Sequence, residues 1–407
     1  METPRVLLTD TTRWGRSARI AIELSNAGCQ VSAVCLARRH PLSKTRVVHT
    51  TYPYSALRPL DSLTAAIEAA RPQIIIPCDD RAVLHLHQLH ARARSLRTGG
   101  DEIAGLIERS LGSPQSYPTV SVRYNLLEIA RREGLRVPDT QPVRTVKDLG
   151  SWGADHRLPW VLKADRTWGG GGVEIVRTPG HAERFFRAIP RFFGKALAVK
   201  RLIVNRDPFW LLPAWNRWMP GIIVQSHISG RAANCAVVCW EGKVLAGIAA
   251  EVISSNKPTG PAAVVRIIDN SEMMQCAERL AGRLGLSGFF GLDFIIEEGT
   301  GISHLIEMNP RCTSLCHLRL GEGRDMIGAL YAQLSGQPAP ATPCVTQNDM
   351  IAYFPEAWQS NGGVPQASFR DLPHSEPDLI NELLYFSPDN TLLARAARQL
   401  RGYFGVH

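Results

Sequence analysis

The chain has 407 residues, 46 Lys and Arg against 37 Asp and Glu, a formal charge of +9, and 44% hydrophobic with 20% charged residues. That length outgrows a single hydrophobic core and predicts two or three domains, and the composition is that of an ordinary soluble globular protein. No apolar run is as long as a membrane span, the Met-Glu-Thr-Pro-Arg start lacks a signal peptide's basic and apolar regions, and Lys and Arg form no block; a cytoplasmic protein with no membrane and no nucleic-acid partner is expected. Nine cysteines without a C-x-x-C pair exclude a disulfide framework and a zinc pattern, and Cys235 with Cys239, like Cys312 with Cys316, read as reduced thiols.

In chain order, residues 5–9 form a β-rich run, 16–26 carry helical spacing closed by Gly28, and 30–36 are again β-rich. A helix over 63–70 and the apolar strand 73–77 follow, ending at Cys78-Asp79-Asp80. Alternation of this kind predicts a small doubly wound α/β domain over about the first 110 residues. Its first turn, 10–16, has one glycine and no G-x-G-x-x-G, so the dinucleotide fingerprint is absent. Strand ends are where such sheets take ligands, which makes Asp10, Asp79 and Asp80 weak substrate candidates. His85, His87 and His90 alternate with leucines on one helix, and without a carboxylate or thiol partner they read as packing residues rather than a metal site.

The breaker-rich stretch 112–118 marks a boundary. A helix over 122–132 is closed by Gly134, and the strand 159–165 carries Lys163 near its end. Directly behind come Gly169, Gly170, Gly171 and Gly172, then the β-rich Val173-Glu-Ile-Val176. Four glycines free the backbone to approach a ligand and to aim its N–H groups at phosphate. The stretch predicts a phosphate-covering hairpin, and it is not a Walker loop, since no G-K-[ST] follows. The aromatic-rich segment 209–218 is either a substrate lid or a cover for a sheet edge. A strand over 222–228 and a hairpin over 234–240 and 243–248 precede the helix 272–284, which stops at Gly285.

Residues 289–311 carry the most chemistry. Two apolar runs flank Glu-Glu-Gly-Thr-Gly, which predicts a β-hairpin. Asp293 is embedded in the first run, and Glu307 and Asn309, two apart, share one face of the second. Oxygen ligands without His or Cys suit Mg²⁺, which usually takes one or two carboxylates and leaves the rest to water and phosphate. Beyond lie a helix over 321–334, a linker at 338–343, a strand over 350–354, and a last helix started by Ser387 and Pro388.

With these pieces placed, the chain resembles the ATP-grasp superfamily, the fold of biotin carboxylase, carbamoyl phosphate synthetase and the carboxylate-amine ligases. The resemblance rests on Val161-Leu-Lys163 with the glycine loop, Val224-Gln-Ser-His-Ile228-Ser-Gly230, Gly260-Pro-Ala262, Gly291-Leu-Asp293-Phe and, most specifically, Ile306-Glu-Met-Asn-Pro-Arg311. It implies an N-terminal α/β domain over 1–115, a two-lobed ATP-grasp domain over 116–340 and a small α+β segment over 341–407. It implies that Lys163 contacts the α- and β-phosphates of ATP, that Gly169 to Gly172 close over the β- and γ-phosphates, and that Gln225, Ser226, His227 and Ile228 form the adenine hinge. Asp293 and Glu307 would hold one Mg²⁺, and Glu307 with Asn309 a second, with Mn²⁺ as a substitute, while Arg311 would face the group in transfer. Arg123 stands where a second phosphate-contacting Lys is usual, Ser226 where the hinge usually carries an acid, and Ala233 and Asn234 where a carboxylate often follows the Gly230 turn. The implied activity is ATP-dependent joining of a small carboxylate to an amine through an acyl phosphate, in a chain compatible with a homodimer. A bicarbonate-using carboxylase or carbamoyl-phosphate-type enzyme, and a nucleotide-binding module without catalysis, are the alternatives.

Overall fold

The computed structural model describes residues 3–36, 40–95, 100–165, 167, 172–205, 207–215, 220–255, 260–339, 344–360 and 363–385. Strands β1 (Arg5–Asp10), β2 (Gln30–Cys35), β3 (Val48–Pro53) and β4 (Ile74–Pro77) form a parallel sheet in the order β3-β2-β1-β4. The two central strands and β4 are buried almost throughout, whereas β3 alternates half-buried with exposed residues. Continuous apolar sequence therefore marks the strands covered on both faces and alternation marks the edge. The α/β reading of this region holds, and the helix Arg16–Asn26 has the bounds that its periodicity predicts.

A second, antiparallel sheet of β5 (Thr140–Pro142), β6 (Trp160–Ala164), β7 (Val173–Val176) and β8 (Ile222–Ser226) is ordered β5-β8-β6-β7. Trp152, Trp160, Leu162, Ile189, Trp210 and Val224 fill the core between it and its helices. The helices Val146–Asp155, Pro179–Phe192, Lys195–Asn205 and Leu211–Trp215 were not anticipated. The aromatic-rich segment contributes Trp210 to this core, edge-on to Phe193 at 5.5 Å, so part of it covers the sheet as packing predicts; residues 216–218 lie outside the described residues.

The third sheet has seven strands: β9 (Gly230–Trp240), β10 (Lys243–Ser255), β11 (Ala262–Ile268), β12 (Gly288–Glu297), β13 (Ser303–Asn309), β14 (Met350–Tyr353) and β15 (Phe369–Asp371). Its order is β13-β12-β9-β10-β11-β14-β15, antiparallel except for the final pair. One face packs on the helices Arg123–Arg132 and Ser271–Leu284 through Leu126, Leu127, Met273, Leu280 and Leu284. The other face shares a core with β1, the helix Arg16–Asn26 and the helix Met326–Ser335, in which Ile20, Leu24, Val238, Phe289, Ile327 and Tyr353 meet. The parallel sheet is thus bolted to the back of the large one, and the hairpin β12–β13 stands at the opposite edge from β14 and β15.

Several elements differ from expectation. The helix foreseen from 321 starts at Met326, because Gly321 and Gly323 take left-handed φ values of 98° and 70° and Asp325 caps Gly328 N at 2.8 Å. The strand foreseen over 243–248 runs to Ser255, and β11 was not foreseen. The strands of the 341–407 segment extend the seven-stranded sheet. The helix expected from Ser387 lies outside the described residues, which end at 385 on the helix Pro377–Tyr385. Among the described residues no helix is long and apolar enough to cross a membrane.

Candidate active site

The hairpin places Asp293 opposite Glu307 and Gly291 opposite Asn309, with a register shift directly after Asp293. Gly299 and Gly301 carry the reversal with φ values of 85° and 72°. Asn309 Nδ2 donates to Asp293 Oδ2 at 3.1 Å, and Asn234 Nδ2, from the neighbouring β9, donates to Asp293 Oδ1 at 2.6 Å. Arg311 Nη2 in turn donates to Asn309 Oδ1 at 3.1 Å. Burial, with repulsion from Glu307, pushes the Asp293 carboxyl up to about 6. Burial would raise Glu307 too, but the Arg123, Lys163 and Arg311 cations outweigh it and hold Glu307 below the usual carboxylate range.

The cations come from three other elements. Arg123, the first residue of its helix, donates through Nη2 to Glu307 Oε1 at 2.7 Å and through Nη1 to Ala164 O at 2.6 Å, and it lies 3.5 Å from Asp165. Lys163, buried on β6, donates to Ile306 O at 3.1 Å, and burial lowers it to about 8 against the pull of Glu307. Arg311 Nε stands 3.1 Å from Asp80 Oδ2; burial opposes its charge, but Asp80 more than restores it and the guanidinium stays fully ionised.

These groups line one cavity of about 870 Å³, together with Gln225, Ser226, His227 and Ile228. It reaches from the end of β8 across the hairpin to Trp14, in the loop after β1, and to Asp80 and Arg81 at the start of the helix Asp80–Arg94. Gln225 is buried and its Nε2 is enclosed without an acceptor among the described residues, while Ser226 N is tied to Asp139 O at 2.9 Å. Of the glycine loop, Gly169, Gly170 and Gly171 lie outside the described residues. Gly172 has φ 84°, and a Cβ there would come within 2.7 Å of the Thr167 side chain, so only glycine fits.

Of the other candidates, Asp79 also lines this cavity, whereas Asp10 and the three histidines do not. Asp79 accepts from Thr11 N, Thr11 Oγ1 and Ala82 N at 2.6, 2.9 and 2.8 Å, capping the helix Asp80–Arg94 and fixing the loop after β1. Asp10 is wholly buried beside His40. The three histidines have separate partners: His85 meets Tyr54 OH at 2.9 Å, His87 stacks on Tyr117 at 4.0 Å, and His90 meets Glu108 at 2.7 Å. Among the described residues no group of three or more His, Cys, Asp and Glu side chains is placed to hold a metal, so the hairpin offers two carboxylates with amides. Sequence reasoning singled out Asn234 but missed its bond to Asp293, which depends on the pairing of β9 with β12, and it missed the contact of Arg123 with Glu307.

An ATP-grasp domain profile matches residues 123–315. The chain contains an ATP-grasp domain. The match begins at Arg123, the residue that reaches Glu307, and ends just beyond Arg311. Compared by sequence with curated proteins, the chain matches none. Solved structures share its fold at low identity: an N5-carboxyaminoimidazole ribonucleotide synthetase in its ADP complex (14% identity, TM-score 0.58, 85% of this chain and 81% of that one), the biotin carboxylase domain of Hydrogenobacter thermophilus 2-oxoglutarate carboxylase with MgADP and bicarbonate (15%, 0.56, 84% and 72%), and an L-amino acid ligase from Bacillus licheniformis (14%, 0.55, 82% and 75%). At these identities the likeness shows the fold alone.

Proposed function

We propose that the protein is an ATP-dependent ligase that activates a carboxylate as an acyl phosphate and joins it to an amine, releasing ADP and phosphate. The observation that carries this reading is the convergence of Asp293, Glu307 and Asn309 with Lys163 and Arg311 on one cavity. Two relatives in fold, a synthetase and a biotin carboxylase domain, were solved with ADP or with MgADP and bicarbonate, and a third is named an L-amino acid ligase, which supports nucleotide use here. A volume of 870 Å³ lies towards the upper end of ordinary ligand pockets, enough for a nucleotide beside a small acid.

The donor set fits a hard divalent cation. Two carboxylates and amide oxygens, without thiol or imidazole, are Mg²⁺ ligands, with Mn²⁺ as a substitute. The raised Asp293 carboxyl has the signature of an anion awaiting a counter-charge. Asp293 and Glu307 would hold the cation with Asn309, and when bound it supplies the positive charge that offsets the approach of one anion to another.

In this reading the hinge 225–228 takes the adenine and Lys163 the phosphates. A substrate carboxylate oxygen attacks the γ-phosphorus and the bond to the β-phosphate oxygen breaks, so ADP leaves. Arg311, half-buried and held by Asp80 and Asn309, is placed to steady the charge that gathers on the transferring group. The amine then attacks the acyl carbon, phosphate leaves with the bonding pair, and the nitrogen loses its proton.

Trapping tests the reading. Protein, MgATP, a pool of carboxylic acids and hydroxylamine, with the amine omitted, should yield a hydroxamate and ADP in step. ADP release with bicarbonate as the sole productive acid would replace the amine ligase with a carboxylase, and no ADP release with any acid and amine pool would refute both.

A further inference from the structure

The cavity continues past Arg311 to a second cationic end that the acyl-phosphate chemistry does not use. There the helix Lys195–Asn205 of the smaller antiparallel lobe brings Arg201 to the wall. Its guanidinium carbon stands 4.7 Å from the centre of the Trp210 ring, and Nη1 is enclosed with no acceptor among the described residues. The nearest acid is already committed: Asp207 accepts from Arg81 Nη1 and Nη2 at 3.0 and 2.8 Å and from Phe209 N at 3.1 Å. Arg81 itself lies over the Phe209 ring at 4.0 Å. Arg81 thus takes up Asp207, which leaves the Arg201 guanidinium on the cavity wall with Nη1 lacking an acceptor among the described residues. Burial and the Arg81 charge work against Arg201, and Asp207 only partly offsets them. An enclosed guanidinium donor without an acceptor costs free energy until an anion reaches it.

We propose that Arg201 receives a second anionic group, a carboxylate or a phosphate monoester, on one of the two organic substrates. The inference rests on the ligase reading and deepens it: the substrate spans from the reacting end at Arg311 to Arg201, and its charge is read at both ends. Arg81 and Asp207 hold the helix-bearing lobe against the N-terminal sheet, so the receiving group is presented by one lobe and braced by the other. The planar fork of arginine suits a bidentate oxyanion, and the Trp210 face keeps the fork oriented.

The experiment measures ADP release and hydroxamate yield with acids matched in length, one series with a single carboxylate and one with a second carboxylate or a phosphate. A parallel arm supplies acidic and neutral amines, so the arm that responds identifies which substrate carries the extra anion. The wild type should prefer the doubly anionic member. Arg201→Met, which keeps an apolar stem on Trp210, should raise KM for that member about ten- to a hundredfold, the range for a lost charge-assisted hydrogen bond, with kcat and ATP affinity nearly unchanged. Arg201→Lys should fall between. Equal use of both members by the wild type, or a loss of ATP affinity that matches the loss of substrate affinity, would overturn the proposal while the ligase reading stands. Absence of ADP release with every pool would remove the ligase reading and this one with it. The wild-type comparison needs no variant, so the proposal is decided even if the Met protein does not fold.

Discussion

Arg123 Nη2 lies 2.7 Å from Glu307 Oε1, so the carboxylate proposed as the shared metal ligand is already held by a protein cation. The guanidinium is mostly enclosed, with 12% of its side chain exposed against 22% for Glu307. Truncating one partner of such a pair leaves a buried unpaired charge, typically at a cost of about 3–5 kcal/mol. Arg123→Met should therefore melt at a lower temperature without divalent cation, and added Mg²⁺ should raise its melting temperature more than that of the wild type. An equal Mg²⁺ response in the two proteins would separate Arg123 from the metal site.

Asn234 should tune the site by charge. Its amide donates to Asp293 at 2.6 Å and so favours the ionised carboxyl, which burial and Glu307 push up to about 6. Metal needs the deprotonated form, so Mg²⁺ affinity should weaken as the pH falls through about 6. In Asn234→Ala the Asp293 carboxyl loses that donor and the acid limb should move to higher pH. Calorimetric titration at pH 5.5, 6.5 and 7.5 reads the shift, and an unmoved limb would assign it to another group.

Lys163 should distinguish phosphate from base. Lys163→Ala should weaken ATP about tenfold or more while leaving adenosine nearly unchanged, since a charge-assisted hydrogen bond typically contributes about 1.5–3 kcal/mol. Burial lowers the amine to about 8, so ATP affinity of the wild type should also decline as the pH rises through that value. Equal losses for ATP and adenosine would place the amine away from the phosphates.

Asp371 joins the N-terminal sheet to the far end of the large one: Arg19, on the helix Arg16–Asn26, and His317 both reach its buried carboxylate, the latter at 2.9 Å. Burial alone would raise this carboxyl, but the two neighbours outweigh it and hold it far below the usual range. A depressed carboxylate contributes stability that is present above the unfolded value near 4 and lost as the pH falls below it. Arg19→Met should thus melt well below the wild type at pH 7, and the gap should narrow as the pH falls from about 4 towards the depressed range in which Asp371 takes up its proton and no longer needs a cation. A gap independent of pH would make Arg19 a packing residue.

Much of the site was legible because strand geometry is strict. With Asp293, Glu307 and Asn309 inside apolar runs, alternation alone places them together, and the register Asp293 to Glu307 follows from the Gly299 and Gly301 turn. The helices Arg16–Asn26 and Ser271–Leu284 were legible from their periodicity and from Gly28 and Gly285, both at positive φ. The helices between 179 and 215 were not, because Pro190 sits inside the first and Pro213 inside the last, and clustered aromatics obscure the apolar stripe. Nor could local pattern reveal Arg123 on Glu307 or Arg81 on Asp207, pairs separated by 184 and 126 residues. Such contacts exist only once three sheets have packed.

The most direct test of the account is Mg²⁺-dependent ADP release by Glu307→Gln with the productive acid and amine pools. The amide keeps the shape but removes the charge that Arg123, Lys163 and the proposed divalent cation would share. A lost transition-state contact of this kind lowers rate by about a hundredfold or more, so turnover should fall at least that far while the melting profile stays a single cooperative transition. Turnover close to the wild-type rate would contradict the assignment of the hairpin as the reaction centre.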